Sequence, residues 1–332
     1  VAVLITLGLF TGFVSAFLDN VTTVILVMPI TFAIAKKLEI SPMPFLISEV
    51  FASNIGGTAT LIGDPPNIII GSAGNLSFSD FICVLTPIVV IILFTVLAIL
   101  SFLFRKDLKA SPEKMAALMD TAQGDTITNR SLMIRSVFVL CLVVLGFLSH
   151  TAIGLETSVV ALCGASILLL FEKPAEIFKE VEWNTIFFFI GLFIIVGGLE
   201  ASGGIKMMAN FLMDITKGSQ EATSMIVLWA SGMISGVIDN IPYTATMAPM
   251  ILEIEKALGR EYANPLWWSL SLGACLGGNM TIIGAAANVI VSERAAQNGW
   301  KISFMFFLKY GVLVTLISLA LSAAYLYLRF FL

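Results

Sequence analysis

The sequence predicts an all-α polytopic membrane protein made of two inverted repeats, each with a re-entrant helical hairpin and a broken transmembrane helix. Three observations predict it. Of 332 residues, 58% are hydrophobic and only 12% charged, too few charges to clothe a water-soluble chain of this size. Long apolar runs carry helix breakers and small polar residues at their middles rather than their ends. The interrupting motifs then occur twice, in one order and at one spacing. Val14-Ser15-Ala16-Phe17-Leu18-Asp19-Asn20 is echoed by Ile234-Ser235-Gly236-Val237-Ile238-Asp239-Asn240, 220 residues on. The stretch from Asn54 to Gly63 is echoed from Cys275 to Gly284, and Asn67 by Asn288, both 221 residues on. A fixed offset over two spaced motifs marks duplication.

Residues 1–35 are apolar except for Asp19-Asn20 and Thr22-Thr23. One straight helix would bury an aspartate in hydrocarbon, so a hairpin with Asp19-Asn20 at its tip is expected. Gly8 and Gly12, four apart, let its first arm pack closely. Residues 44–71 form the first broken helix. Gly56-Gly57 should loosen it and Pro65-Pro66 removes two backbone donors, so the backbone should unwind between them. Unwound backbone survives at membrane depth only inside protein or against a cavity. Residues 82–104 read as a clean span, long enough for a core of ~30 Å. Residues 105–131 form a polar loop of mixed charge. Spans follow at 132–149, 155–171 and 185–199, the first two joined by a turn at His150. Residues 205–216 read as a short amphipathic connector. The second hairpin is 222–254, with Asp239, Asn240 and Thr244 near its tip, and 265–291 is the second broken helix. A last span covers 303–328. The second repeat has spans before its hairpin and the first has none, so the N-terminal part of repeat one is expected to be missing from this sequence.

Charge supports this trace. With the 105–131 loop called inside, thirteen of the 18 Lys and Arg fall inside, as the positive-inside rule asks. The loop is then cytoplasmic, the C-terminus outside, and the two hairpins open to opposite sides. The net charge of −4 sits in a few loops and carries no sign of nucleic acid. The four cysteines lack metal-ligand spacing and read as buried small hydrophobes.

The candidate site is where tips and breaks meet. It comprises Asp19, Asn20, Thr22, Thr23, Asn54, Gly56, Gly57, Thr58, Thr60, Asp64 and Asn67 from the first repeat. The second supplies Asp239, Asn240, Thr244, Gly277, Gly278, Asn279, Thr281 and Asn288. Hydroxyls, amides, carboxylates and freed carbonyls suit a hard cation such as Na+, with possible sites at Asp19/Asn20/Gly56/Thr60 and Asp239/Asn240/Gly277/Thr281. Helix N-termini facing the same place favour an anion. Intramembrane carboxylates are costly and usually functional, so Asp19, Glu49, Asp64 and Asp239 are the proton-coupling candidates. Glu49 and Asp64 have no acidic counterpart, since Leu270 and Ala285 stand at the matching positions. Asp64 before Pro65 also reads as a helix N-cap, and Asp19 and Asp239 could cap as well.

Leu18 to Thr23, Asn54 to Thr60, Ile62 to Asn67, Ile238 to Pro242 and Gly277-Gly278-Asn279 resemble the ArsB/NhaD branch of the ion transporter superfamily, and within it the P protein (pink-eyed dilution) group with its prokaryotic relatives. The resemblance implies a homodimer with scaffold helices and a transport domain that moves as an elevator. It implies cation-coupled (Na+ or H+) secondary transport of a small inorganic ion or metalloid oxyacid, as arsenite-type efflux or Na+/H+ antiport, across the cytoplasmic membrane. No other cofactor and no enzymatic activity are implied. A sodium-dicarboxylate or citrate symporter is the alternative. The symporters carry Ser-Asn-Thr at their tips, however, whereas these tips read Asp-Asn-Val-Thr and Asp-Asn-Ile-Pro, and the added carboxylates repel a dianion. A channel is a further alternative. An intramembrane aspartyl protease is disfavoured because Leu61 stands where its Gly-x-Gly-Asp pattern needs glycine.

Overall fold

A computed structural model describes residues 1–109, 114, 130–171, 178–179 and 181–332. Among these the chain is helical throughout, with fifteen α-helices, one 3-10 turn and no strand. Among the described residues, five helices are long and apolar enough to cross a membrane, or six if one sharply bent pair counts as a span.

The first hairpin is α1 (Ala2–Ser15) and α2 (Asn20–Leu38), separated by residues 16–19. The break has a local cause: Asp19 caps α2, its carboxylate accepting from the Thr22 backbone N–H, so the chain restarts a helix rather than extending one. The second arm runs three residues past the expected 35. α3 (Met43–Gly57) and α4 (Pro65–Ala73) are the two halves of the first broken helix. α3 keeps helical form through Gly56 and Gly57, and the unwound stretch is 58–64, so Gly56-Gly57 does not loosen the helix. These glycines serve close approach. A methyl group on Gly56 would lie 2.0 Å from the Gly12 carbonyl oxygen of α1, and one on Gly57 2.6 Å from the Gly63 oxygen across the break.

The expected span at 82–104 is two helices, α5 (Phe78–Val84) and α6 (Thr86–Leu103), because Pro87 restarts the helix. α4 and α5 bend by 114° around residues 74–77, where Ser77 and Asp80 form a reciprocal capping box. Most of the polar loop expected at 105–131 lies outside the described residues. α7 (Arg130–Ile153) runs through His150, so the turn to α8 (Thr157–Leu169) falls later, at Gly154 with φ +72°. α9 (Trp183–Ala201) and the amphipathic α10 (Gly204–Thr216) follow.

The second hairpin is α11 (Gln220–Ser235) and α12 (Asn240–Leu258), and the second broken helix is α13 (Arg260–Gly277) and α14 (Ala286–Gln297) with a 3-10 turn at Ile282–Gly284. α13 begins five residues before the expected Pro265, which sits in its second turn. α15 (Phe304–Phe330) closes the chain. Contacts fix the directions. Gln220 bonds the Tyr262 carbonyl, Gly273 packs on Leu228, and Gly277 packs on Gly232, so α11 runs parallel to α13. Trp267 Nε1 then donates to Glu255 at 2.9 Å, which brings α12 back down the same helix. Both tips therefore end level with the breaks. α3 and α13 are buried along almost their whole length, while α7, α8 and α9 present apolar faces outward. Cys83, Cys141 and Cys163 lie on such outer faces, and only Cys275 is buried. The expectation of four buried cysteines fails because apolar surface in lipid need not be covered by protein.

Candidate functional site

The break between α3 and α4 is held shut by side chains that replace the missing helical bonds. Asn67, in the first turn of α4, donates Nδ2 to the carbonyls of Thr58 and Thr60 at 3.1 and 2.9 Å. Thr60 Oγ1 donates to the Ala16 carbonyl at the hairpin break. Asn288 does the same for the second break, to Gly278 and Thr281 at 2.7 and 2.8 Å, and Thr281 Oγ1 donates to the Gly236 carbonyl at 2.7 Å. The glycines match as well: Gly56 against Gly12 corresponds to Gly277 against Gly232, and Gly57 against Gly63 to Gly278 against Gly284. Buried carbonyls cannot be left bare at this depth, so these residues are required for the break to exist.

The two broken helices meet across a seam. With Nδ2 pinned to backbone, each clasping asparagine must present Oδ1 to the other half of the protein. Asn288 Oδ1 accepts from Asn54 Nδ2 of α3 at 2.9 Å. Asn67 Oδ1 accepts from Cys275 Sγ of α13 at 3.4 Å and from Ser271 Oγ at 2.6 Å. Residues 54 and 275 are equivalent in the two copies, as are 67 and 288. Contact of 54 with 288 and of 275 with 67 is the reciprocal pattern of a two-fold relation. Asn54 also donates to Asn279 Oδ1 at 2.9 Å and accepts from Asn20 Nδ2 at 3.3 Å. Asn20, Asn54, Asn279 and Asn288 thus form one chain of amides from a hairpin tip through both breaks.

Asp64 stands at the centre and is fully buried. It occupies the N-cap position of α4, yet its side chain caps nothing, because Pro65 and Pro66 lack the N–H groups a cap would accept. Instead Oδ1 accepts from Asn20 Nδ2 at 3.2 Å, and Oδ2 has no partner. Cys275 and Asn240 face the same carboxyl, and Asp19 and Asp239 lie within electrostatic reach of it. Asp19 and Asp239 themselves are half-buried caps, bonded to the backbone N–H groups of Thr22 and Ile241. Thr22 is exposed, whereas Thr23 and Thr244 are buried with free hydroxyls. Asn240 Nδ2 and Asn279 Nδ2 are also without partners.

Glu49 lies away from the seam, between α2 and α3. Its Oε1 accepts from Thr31 Oγ1, and its Oε2 is unpartnered. The structure therefore links Asn20, Asn54, Asp64, Asn279 and Asn288 by direct hydrogen bonds, with Asn67 clasped to Thr58 and Thr60 beside them, whereas Glu49 lies apart, Thr22 is exposed, and Thr23 and Thr244 bond to none of these. Residues of the two suggested Na+ clusters do lie around the breaks, but the Thr60 and Thr281 hydroxyls are engaged with backbone carbonyls. Cys275 and Ser271 are seam residues that sequence reasoning missed. The one signal of Cys275 was its position, level with Asn54 in the repeat. Cavities of about 530 and 830 Å³ flank the bundle, and none of these site residues lines either.

The arrangement offers oxygen ligands and hydrogen-bond donors. The tips and breaks supply carboxylates, amides, hydroxyls and four helix N-termini, with no Lys, Arg or His among them. A family model described as citrate transporter, CitMHS, matches residues 1–273. An uncharacterized transporter of Mycobacterium tuberculosis is 43% identical over 332 residues, spanning 99% of this chain and 77% of its own. A 46 kDa membrane protein of Mycobacterium leprae is 43% identical over 319 residues, covering 95% of this chain and 74% of its own. Human P protein is 31% identical, and the match covers 98% of this chain and 48% of that protein. The chain is an integral multi-pass membrane transporter, not an enzyme, and it belongs to the CitMHS citrate transporter family.

Proposed function

We propose that this protein is a cation-coupled secondary active transporter of a small inorganic ion or metalloid oxyacid, of the arsenite-efflux or Na+/H+ antiport kind. One observation carries the reading: fully buried Asp64 has half-buried Asp19 and Asp239 within electrostatic reach, and no Lys, Arg or His among the described residues bonds to any of the three. An ionised carboxylate at that depth is stable only with a counter-charge, so a mobile cation is the natural partner. Free Asn and Thr groups nearby give a second, uncharged surface for the cargo. Likeness to human P protein supports a place in the ArsB/NhaD branch. The reciprocal seam supports two units in opposite orientation, and hence alternating access by an elevator-like movement in a homodimer. The bias of Lys and Arg supports a cytoplasmic 105–131 loop, with the C-terminus on the opposite side of the cytoplasmic membrane.

A second reading is favoured by the family description itself: symport of citrate. A polycarboxylate would meet three carboxylates and no cationic side chain, so it would have to enter escorted by cations. Purified protein in proteoliposomes decides between them. An imposed Na+ or proton gradient should drive saturable flux of arsenite or of the counter-cation. Citrate uptake with no effect of arsenite would establish the second reading, and linear, gradient-independent flux would overturn both.

A further inference from the structure

The two halves of the seam share an asparagine clasp on each break but differ at Thr58 against Asn279 and at one further spot, around Cys275. In the first half, Asn20 Nδ2 closes onto Asn54 Oδ1 at 3.3 Å. The equivalent pair in the second half is Asn240 and Cys275. A thiol offers no carbonyl oxygen, and Asn240 Nδ2 is left without a partner. The same spot holds Asp64, whose counterpart is Ala285. Its Oδ2 is buried and unpartnered, and Cys275 and Asn240 face its carboxyl. Ser271 and Asn67, the other polar groups there, are already bonded to each other at 2.6 Å.

We propose that the coupling cation is held off the two-fold relation, at Asp64, with Asn240 and Cys275 around it, and that cysteine at position 275 is what keeps this place open. This rests on the transport reading given above. Asp64 is the fully buried acid of the three, no Lys, Arg or His among the described residues bonds to it, and a monovalent cation replaces the partner that its Oδ2 lacks. An amide at 275 would close the place. Its oxygen would accept from Asn240, as Asn54 accepts from Asn20, and its N–H groups would turn to Asp64. A hydrogen bond to a charged group is worth about 1.5–3 kcal/mol, so Cys275→Asn should weaken the cation by roughly tenfold or more.

The test is thermal melting of the purified full chain, titrated with NaCl against choline chloride at constant ionic strength, and repeated with LiCl and KCl. A bound cation raises the midpoint saturably. The wild type should show that rise and Asp64→Asn should not. Cys275→Asn should need at least about ten times the salt for half of the effect. Cys163→Ser, on an outer face, should titrate as the wild type does. If Cys275→Asn does not fold, Cys275→Ser moves the titration in the same direction, since its hydroxyl also offers Asn240 an acceptor. The proposal is overturned if none of the three cations raises the wild-type midpoint, or if both position-275 variants titrate like wild type. Coupled flux in wild-type proteoliposomes alongside such a result would sink this assignment alone. Absence of coupled flux would sink the transport reading itself.

Discussion

Replacing Gly56 by alanine tests whether the site is built on backbone contact between α1 and α3. The added methyl would lie 2.0 Å from the Gly12 oxygen and 2.6 Å from its C and Cα, where ordinary contact begins at 3.4 Å. The shortfall of 1.4 Å falls on backbone atoms, which cannot rotate away as a side chain can. α1 must therefore retreat as a unit. That retreat stretches the Ser15–Ser53 bond, now 3.0 Å, and the Thr60 bond to the Ala16 carbonyl. Overpacking ordinarily costs about 1–3 kcal/mol, and two strained hydrogen bonds add roughly 1 kcal/mol each. Better helix propensity returns only about 1 kcal/mol. The net loss should be about 2–4 kcal/mol. Gly191→Ala is the matched control: no atom lies within 4 Å of the added methyl, so it should raise stability by up to about 1 kcal/mol. Thermal melting in detergent compares the two, and coupled flux in proteoliposomes should fall only for Gly56→Ala. A Gly56→Ala protein that melts at or above Gly191→Ala, with normal flux, would refute the close packing of α1 on α3.

Three further outcomes are expected. Asp64→Asn should abolish coupled flux while its melting midpoint stays at or above that of the wild type, because the fully buried carboxylate of the seam is removed and its Asn20 bond is kept. Asn288→Ala should cost roughly 2–3 kcal/mol in chemical denaturation, since it bares two buried carbonyls and the amide of Asn54. Asp19→Ala should cost about 1 kcal/mol through loss of the α2 cap, whereas Asp19→Asn preserves the cap. A fall in flux in Asp19→Asn at unchanged stability would isolate the charge.

Much of this was legible in the sequence because polar and helix-breaking residues at membrane depth have few explanations. Asp19-Asn20 and Asp239-Asn240 announced helix starts, and Pro65-Pro66 announced the end of the first unwound stretch. What could not be read was which partner each residue takes across space. Gly56 looked like a loosening residue because a sequence does not show that Gly12 lies against it. Asp64 looked like a cap, although the prolines that suggest the N-terminus of α4 also remove the donors a cap serves. Cys275 looked like apolar filling because an isolated thiol in an apolar run has no signature. The start of α6 was misread because Ile82 to Val84 is as apolar as the span itself, although Pro87, in the first turn of α6, marks the restart.

Set side by side, the two copies divide the labour of the site. Positions that match, Gly56 with Gly277, Gly57 with Gly278, Thr60 with Thr281 and Asn67 with Asn288, all act on backbone, through close approach or by bonding a carbonyl. Such tasks recur in each half because each half has its own break to satisfy. Positions that differ, Asp64 against Ala285, Asn54 against Cys275 and Glu49 against Leu270, carry the unpartnered carboxyl oxygens or leave Asn240 unpaired. If both copies held the acid, two carboxylates would face one another at the seam, and their repulsion in this low-dielectric setting would exceed what shared asparagines could offset. Keeping the framework duplicated and the fully buried acid in one copy alone makes the two similar halves unequal at Asp64.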